Sequence, residues 1–166
     1  MDAGHALGEG IAKRGWILVN GAGNTGGMAA LSEGCLKAGG RVEGVILKRF
    51  QDAGYGHSGL HRLEIAETMR ERKRLLGIEA DAFVALPGGP GTFEEFWELA
   101  VERQIQVHQK PLILLDIDDF YQGFLLQVQR AARDGLLYGP IEELFHRVTT
   151  VEAALAALEQ FLRRSA

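Results

Sequence analysis

Phe83-Val84-Ala85-Leu86-Pro87-Gly88-Gly89-Pro90-Gly91-Thr92-Phe93-Glu94-Glu95 is the stretch that decides the fold. Residues 82–86 form a continuous apolar run, the mark of a strand buried on both faces. Two prolines and three glycines then break it, and from Thr92 to Val107 the helical period returns, with Phe93, Phe96, Trp97, Ala100 and Val101 on one side. A strand, a glycine-rich turn and a helix in that order make half of a βαβ unit.

The same alternation runs outward in both directions. Residues 3–14 read as a helix capped by Gly15, 16–20 as a strand, 21–27 as a glycine loop and 28–38 as a helix. Residues 41–48 follow as a strand, 49–60 as a loop, 63–66 as a short strand and 69–77 as a basic helix. Beyond Val107, residues 112–115 read as a buried strand and 120–133 as a helix; Val148 falls in a brief last strand, and 151–162 form an amphipathic helix. The expectation is a single α/β domain over residues 1–166, a Rossmann-like doubly wound parallel sheet flanked by helices. Such a domain opens on a central strand, and here a helix stands first. Either Met1 is internal to a longer parent, or the sheet re-pairs with residues 16–20 beside residues 82–86.

Composition narrows the function. The 166 residues carry a net charge of -4, which argues against non-specific nucleic-acid binding and leaves any phosphate ligand to local donors. Cys35, the single cysteine, excludes an intrachain disulfide and reads as a small core residue. No apolar run reaches membrane length, so the cytoplasm is the default. His57, His61 and His108 match no strong zinc spacing, and no metal is expected. The 22 glycines exceed ordinary usage and cluster at turns.

In open parallel sheets, ligands bind beyond the carboxyl ends of strands. The turn from Pro87 stands at such an end: its glycines admit an anion, the N–H groups opening the next helix face it, and Thr92 can cap that helix and offer its hydroxyl. The loop Gly21-Ala22-Gly23-Asn24-Thr25-Gly26 has G-x-G-x-x-G spacing, but Leu47-Lys48-Arg49 stands where a dinucleotide site needs an acid for the ribose. The basic run Met69-Arg70-Glu71-Arg72-Lys73-Arg74 precedes the strand that delivers the Pro87 turn, and a guanidinium there could grip a phosphate or sugar oxygen.

Met69-x-x-Arg72-Lys73 with Pro87-Gly88-Gly89-x-Gly91-Thr92-x-x-Glu95 resembles the Lonely Guy family of cytokinin-activating phosphoribohydrolases, long labelled "lysine decarboxylase". Arg72 and Glu95 stand 23 residues apart, as in the family pattern. The resemblance implies hydrolysis of the N-glycosidic bond of a nucleoside 5′-monophosphate to free base and ribose 5-phosphate, without metal or organic cofactor, by a homodimer or larger homo-oligomer. It implies Arg72 and Glu95 as the catalytic pair. Gly88, Gly89, Gly91 and Thr92 would hold the phosphate, with help from Gly23 and Gly26; Met69, Lys73 and Glu94 are further candidate substrate contacts. Glu94 and Glu95 could instead be acids favouring a helix dipole. Trp97 and Phe93 read as core or dimer contacts. Ala22 and Ala29 replace family glycines, and Leu75 replaces a frequent glutamate. The alternative is a non-catalytic carrier of a phosphorylated ligand such as molybdenum cofactor, a class that resembles this family. Lysine decarboxylation would need a lysine set for a pyridoxal Schiff base, and no such context is present.

Overall fold

The computed structural model describes residues 2–165, and the expectation concerning Met1 lies outside them. The chain divides between Ala80 and Asp81 into two compact units.

The first unit holds α1 (Asp2–Lys13), β1 (Ile17–Asn20), α2 (Gly26–Lys37), β2 (Arg41–Leu47), α3 (Lys48–Asp52), β3 (Arg62–Ala66) and α4 (Met69–Glu79). Its strands form a parallel sheet in the order β1-β2-β3, with Ile17 opposite Arg41 and Glu43 opposite Arg62. The middle strand, β2, is buried from Val42 to Leu47, as a strand paired on both sides should be. Not every glycine serves a turn. α1 and α2 pack against each other, and a Cβ on Gly8 would collide with the Leu31 backbone, one on Gly34 with the His5 backbone. These glycines let two helix backbones approach closely. Leu7, 1% exposed, is buried in the same unit, and Leu7→Ala there costs about 2–5 kcal/mol.

The second unit holds β4 (Phe83–Ala85), α5 (Pro90–Gln104), β5 (Leu112–Leu115), a 3-10 turn (Ile117–Asp119), α6 (Gln122–Arg133), α7 (Ile141–Leu144), β6 (His146–Val148) and α8 (Val151–Ser165). Its parallel sheet runs β4-β5-β6, with Phe83 opposite Leu112 and Ile113 opposite His146. β5 is buried throughout. Phe96, Ala100, Leu112, Leu114, Tyr121, Val128, Leu144 and Phe145 form the core, and Phe93 and Trp97 pack against it as expected. α8 lies on β5 and β6.

The α/β class with parallel strands and flanking helices is as the sequence predicts. Four details differ. β1 ends one sheet and β4 the other, so pairing of residues 16–20 with residues 82–86 is not found among the described residues. For the same reason β4 is only half-buried, where its apolar run predicts burial on both faces. Lys48–Asp52 is a helical turn that takes the last residue of the expected strand and the start of the expected loop, closed by a Lys48–Asp52 ion pair of 2.7 Å. α5 starts at Pro90, not Thr92, because proline at the first helical position is prearranged for the helix.

Candidate active site

α4 delivers Arg72. Its N-terminus is fixed by Thr68, whose hydroxyl accepts from the Glu71 N–H at 3.1 Å, while the Glu71 carboxylate accepts from the Glu67 N–H at 2.9 Å. One turn on, Arg72 Nε donates to the Val45 carbonyl of β2 at 3.0 Å. Its Nη2 lies directly over Gly21, where any Cβ would collide with it, and Nη1 stands 3.7 Å from Met69 Sδ. The half-buried guanidinium is therefore aimed by β2 and seated on the residue that leaves β1. Sequence reasoning noted Gly21 only as part of the loop; its role as the seat of Arg72 has no local signal. Met69 is 40% exposed and lines a cleft of about 390 Å³ with Lys48, Arg49, Asp52 and Glu67. Lys73 is half-buried on the same helix. The Asp52 carboxylate beside Lys48 holds that ammonium above its ordinary pKa.

The loop from Gly21 is tied down by its own unit. Asn20 Oδ1 accepts from the Ala22 N–H at 2.8 Å, and Asn20 Nδ2 donates to Ser32 Oγ at 2.9 Å. Asn24 donates from N–H to the Tyr55 carbonyl at 3.0 Å and from Nδ2 to the Gly54 carbonyl at 2.9 Å. Ala22, fully buried, sits at φ 58, a left-handed conformation that explains why glycine suits this position. Gly26 opens α2 at φ 64, so backbone geometry alone accounts for it. Gly23 faces Met28 Cε, and a Cβ there would stand 2.7 Å from it.

In the second unit, β4 hands the chain through Leu86 and Pro87 to the turn. Gly89, not Thr92, is the cap residue of α5, and its carbonyl accepts from the N–H groups of Thr92 at 3.0 Å and Phe93 at 3.3 Å. The Thr92 side chain folds over Gly88, leaving no room for a Cβ there. Gly89 and Gly91 differ: a Cβ on either would meet nothing within 4 Å, and neither has positive φ. Packing and backbone do not require glycine at these two positions, and the space beside them is open. Because α5 begins at Pro90, Glu94 and Glu95 lie in its second turn, beyond the reach of a first-turn dipole role. Glu94 is exposed and Glu95 half-buried.

Behind the turn stands a network that sequence reasoning missed. Asp116, fully buried at the end of β5, accepts from the Tyr121 N–H at 2.8 Å and from Arg147 Nε at 2.8 Å. The Tyr121 hydroxyl donates to the Leu86 carbonyl. Burial, with Asp116 nearby, pushes the Tyr121 phenol up to about 12, so the hydroxyl keeps its proton as a donor. Asp116 and Tyr121 stand five residues apart in the chain, but their links to Arg147 and Leu86 have no local signal.

Three of the histidines hold backbone N–H groups. Nδ1 of His57, His61 and His108 accepts from the N–H of Gly59, Val42 and Lys110 at 3.0, 3.2 and 3.2 Å. Among the described residues no three His, Cys, Asp or Glu side chains gather as metal ligands. Cys35 is a fully buried core residue, and burial raises its thiol pKa. No helix is long and apolar enough to cross a membrane among the described residues.

The family described as "Possible lysine decarboxylase" matches residues 28–158. The chain belongs to this family. Among its relatives is a cytokinin riboside 5′-monophosphate phosphoribohydrolase of Rhodococcoides fascians, 35% identical over 92% of this chain and 77% of that protein. A probable phosphoribohydrolase of the same description from Oryza sativa subsp. japonica is 33% identical over 98% of this chain and 73% of its own length. One from Arabidopsis thaliana is 32% identical over 97% of this chain and 76% of its own. Among solved structures, a molybdenum cofactor binding protein from Rippkaea orientalis shares the fold at a TM-score of 0.73 and 22% identity, covering 97% of this chain and 86% of that one. A molybdenum cofactor carrier protein of Chlamydomonas reinhardtii gives a TM-score of 0.69 at 25% identity over 98% and 87%. Family membership, rather than the family's printed description, is what the motifs around Arg72 and Pro87 predict.

Proposed function

We propose that the chain hydrolyses the N-glycosidic bond of a purine or cytokinin-type nucleoside 5′-monophosphate, releasing free base and ribose 5-phosphate. The observation that carries this reading is the open space at Gly89 and Gly91 where α5 begins, at glycines that neither packing nor backbone demands. A helix start with room for close approach suits a phosphate ester. Phosphoribohydrolase relatives at 32–35% identity support the enzyme, while the carrier proteins stand at 22–25% and support the fold first of all.

In the reaction the C1′–N bond breaks and a water oxygen bonds to C1′. One proton of that water passes through Glu95 to solvent, the other stays on the new C1′ hydroxyl, and the departing base takes up a proton from solvent. The transition state is oxocarbenium-like, and the Glu95 carboxylate stabilises that positive charge while orienting the water. Gly88, Gly89, Gly91 and Thr92 hold the phosphate, supported by the loop containing Gly23 and Gly26. Arg72 holds an anionic oxygen of the sugar phosphate; Met69, Lys73 and Glu94 are secondary contacts. The active species is a homodimer or larger homo-oligomer in the cytoplasm, and light scattering in solution reads its mass. The single-domain organisation expected from the length belongs to the same proposal, with one calorimetric unfolding transition as its signature.

The deciding experiment is base release from AMP and isopentenyladenosine 5′-monophosphate, followed by chromatography. Glu95→Gln is expected to lower kcat by about 10²–10⁴-fold. Unchanged release would remove Glu95 from the mechanism. Retention of the nucleotide without release by the wild-type protein would favour a carrier.

A further inference from the structure

The turn from Pro87 has an unusual backbone supply. Pro87 and Pro90 carry no N–H, so this part of the chain is held largely through its carbonyls. Two of them are anchored. The Gly89 carbonyl is held by the first turn of α5. The Leu86 carbonyl, on the residue before the turn, accepts from the Tyr121 hydroxyl.

Tyr121 is itself fixed at both ends. It is 2% exposed, and its ring packs edge-on against Phe93 at 5.6 Å, Phe120 at 5.0 Å and Phe124 at 6.0 Å. Its N–H is held by Asp116 Oδ1. Asp118 and Asp119, at φ 51 and 54, curl the chain so that this N–H returns to the end of β5. The other Asp116 oxygen receives Arg147 Nε and Nη2 at 2.8 and 2.7 Å, and Nη2 also reaches Asp119 Oδ1 at 3.0 Å. A buried carboxylate satisfied in this way is rigid, and removing one partner leaves the others exposed to the loss.

We propose that Tyr121, held by Asp116 and Arg147, is a positioning residue: it sets where the glycine-rich turn leaves β4, and so aims the turn at the phosphate ester of the substrate. The inference rests on the function proposed above. Tyr121 touches no substrate atom in this scheme. It acts through the Leu86 carbonyl, and small displacements of a binding turn are costly to rate.

The test compares wild type with Tyr121→Phe, which keeps the ring and deletes the hydroxyl. Val128→Ala, in the same core, serves as a control for stability alone. Base release from AMP gives kcat and KM, and amide hydrogen exchange is followed over residues 88–95. Tyr121→Phe is expected to speed exchange there and to lower kcat/KM by about ten- to a hundredfold. Val128→Ala is expected to lower Tm and leave kcat/KM within about twofold. Arg147→Lys, on a half-exposed side chain, keeps the charge but not the fork and is expected to fall between. It carries the test if Tyr121→Phe does not fold. Faster exchange with unchanged kinetics would reduce Tyr121 to a structural role, and unchanged exchange would overturn the inference outright. If the wild-type protein releases no base, the function above fails instead. The exchange comparison, with ribose 5-phosphate as the probe protecting residues 88–95 in wild type and not in Tyr121→Phe, still decides this inference.

Discussion

Gly21 and Gly89 separate two reasons for which a site keeps a glycine. At Gly21 the reason is inside the protein, since the Arg72 guanidinium occupies the space a Cβ would take. The obstructing atom is the far end of a flexible side chain, so Gly21→Ala is expected to fold and displace Arg72. Tm should change by no more than about 2–4 °C, as for a change of about 1 kcal/mol in a chain of this size, while kcat/KM falls by about a hundredfold or more. At Gly89 the space is empty and the backbone ordinary, so Gly89→Ala should leave Tm unmoved and raise KM for AMP about tenfold or more. Thermal unfolding and steady-state kinetics on the two variants check both claims. Equal activity in Gly21→Ala and wild type would mean that Arg72 does not work from the place β2 and Gly21 give it.

Among the elements, β2 and β3 are clamped by charge as well as by their ladder. Glu43, buried on β2, takes Arg41 Nε at 2.7 Å and Arg62 Nη1 at 3.2 Å, and Arg62 goes on to Glu64 at 2.6 Å and Glu79 of α4 at 3.0 Å. The hydrogen bond from Arg41, aided by Arg62, holds the Glu43 carboxyl below the ordinary carboxylate range in spite of its burial. A carboxyl lowered by folding contributes stability above its unfolded value of 4.5, and that contribution is lost as pH falls through the folded value. Glu43→Gln is therefore expected to be less stable than wild type at pH 7, with the gap closing below pH 4.5. A gap that stays constant on acidification, read from urea midpoints, would deny the ion pairs their role. Sequence pattern made most of these elements legible: β5 is an unbroken apolar run and α4 carries the basic run from Met69 to Arg74. It missed α3, because Lys48–Asp52 is too short to show a period, and it misplaced the start of α5, because Pro90 reads as a breaker until its place at the first helical position is seen. It could not show the Asp116–Tyr121–Leu86 connection, since that joins residues up to 35 apart through a buried carboxylate and a hydroxyl.

Across the whole chain, the glycine-rich turn, the net charge and the family's printed description lead to different expectations about what binds. A net charge of -4 offers no general attraction for anions, so under the function proposed above phosphate affinity rests on local donors at the turn and on Arg72. A lysine decarboxylase would instead recognise an amino acid. Ligand-linked stability distinguishes these cases without relying on turnover. A ligand that binds only the folded state at about a hundred times its Kd adds about 2.7 kcal/mol. For a chain of this length that raises Tm by about 5–10 °C. Ribose 5-phosphate, a product that is not consumed, should produce such a shift. Adenosine, which lacks the phosphate, and L-lysine should not, and Gly89→Ala should cut the shift to about half or less while keeping its own Tm. A shift of equal size from adenosine would place recognition on the base rather than on the turn, and a shift from L-lysine would restore the description that the residues argue against.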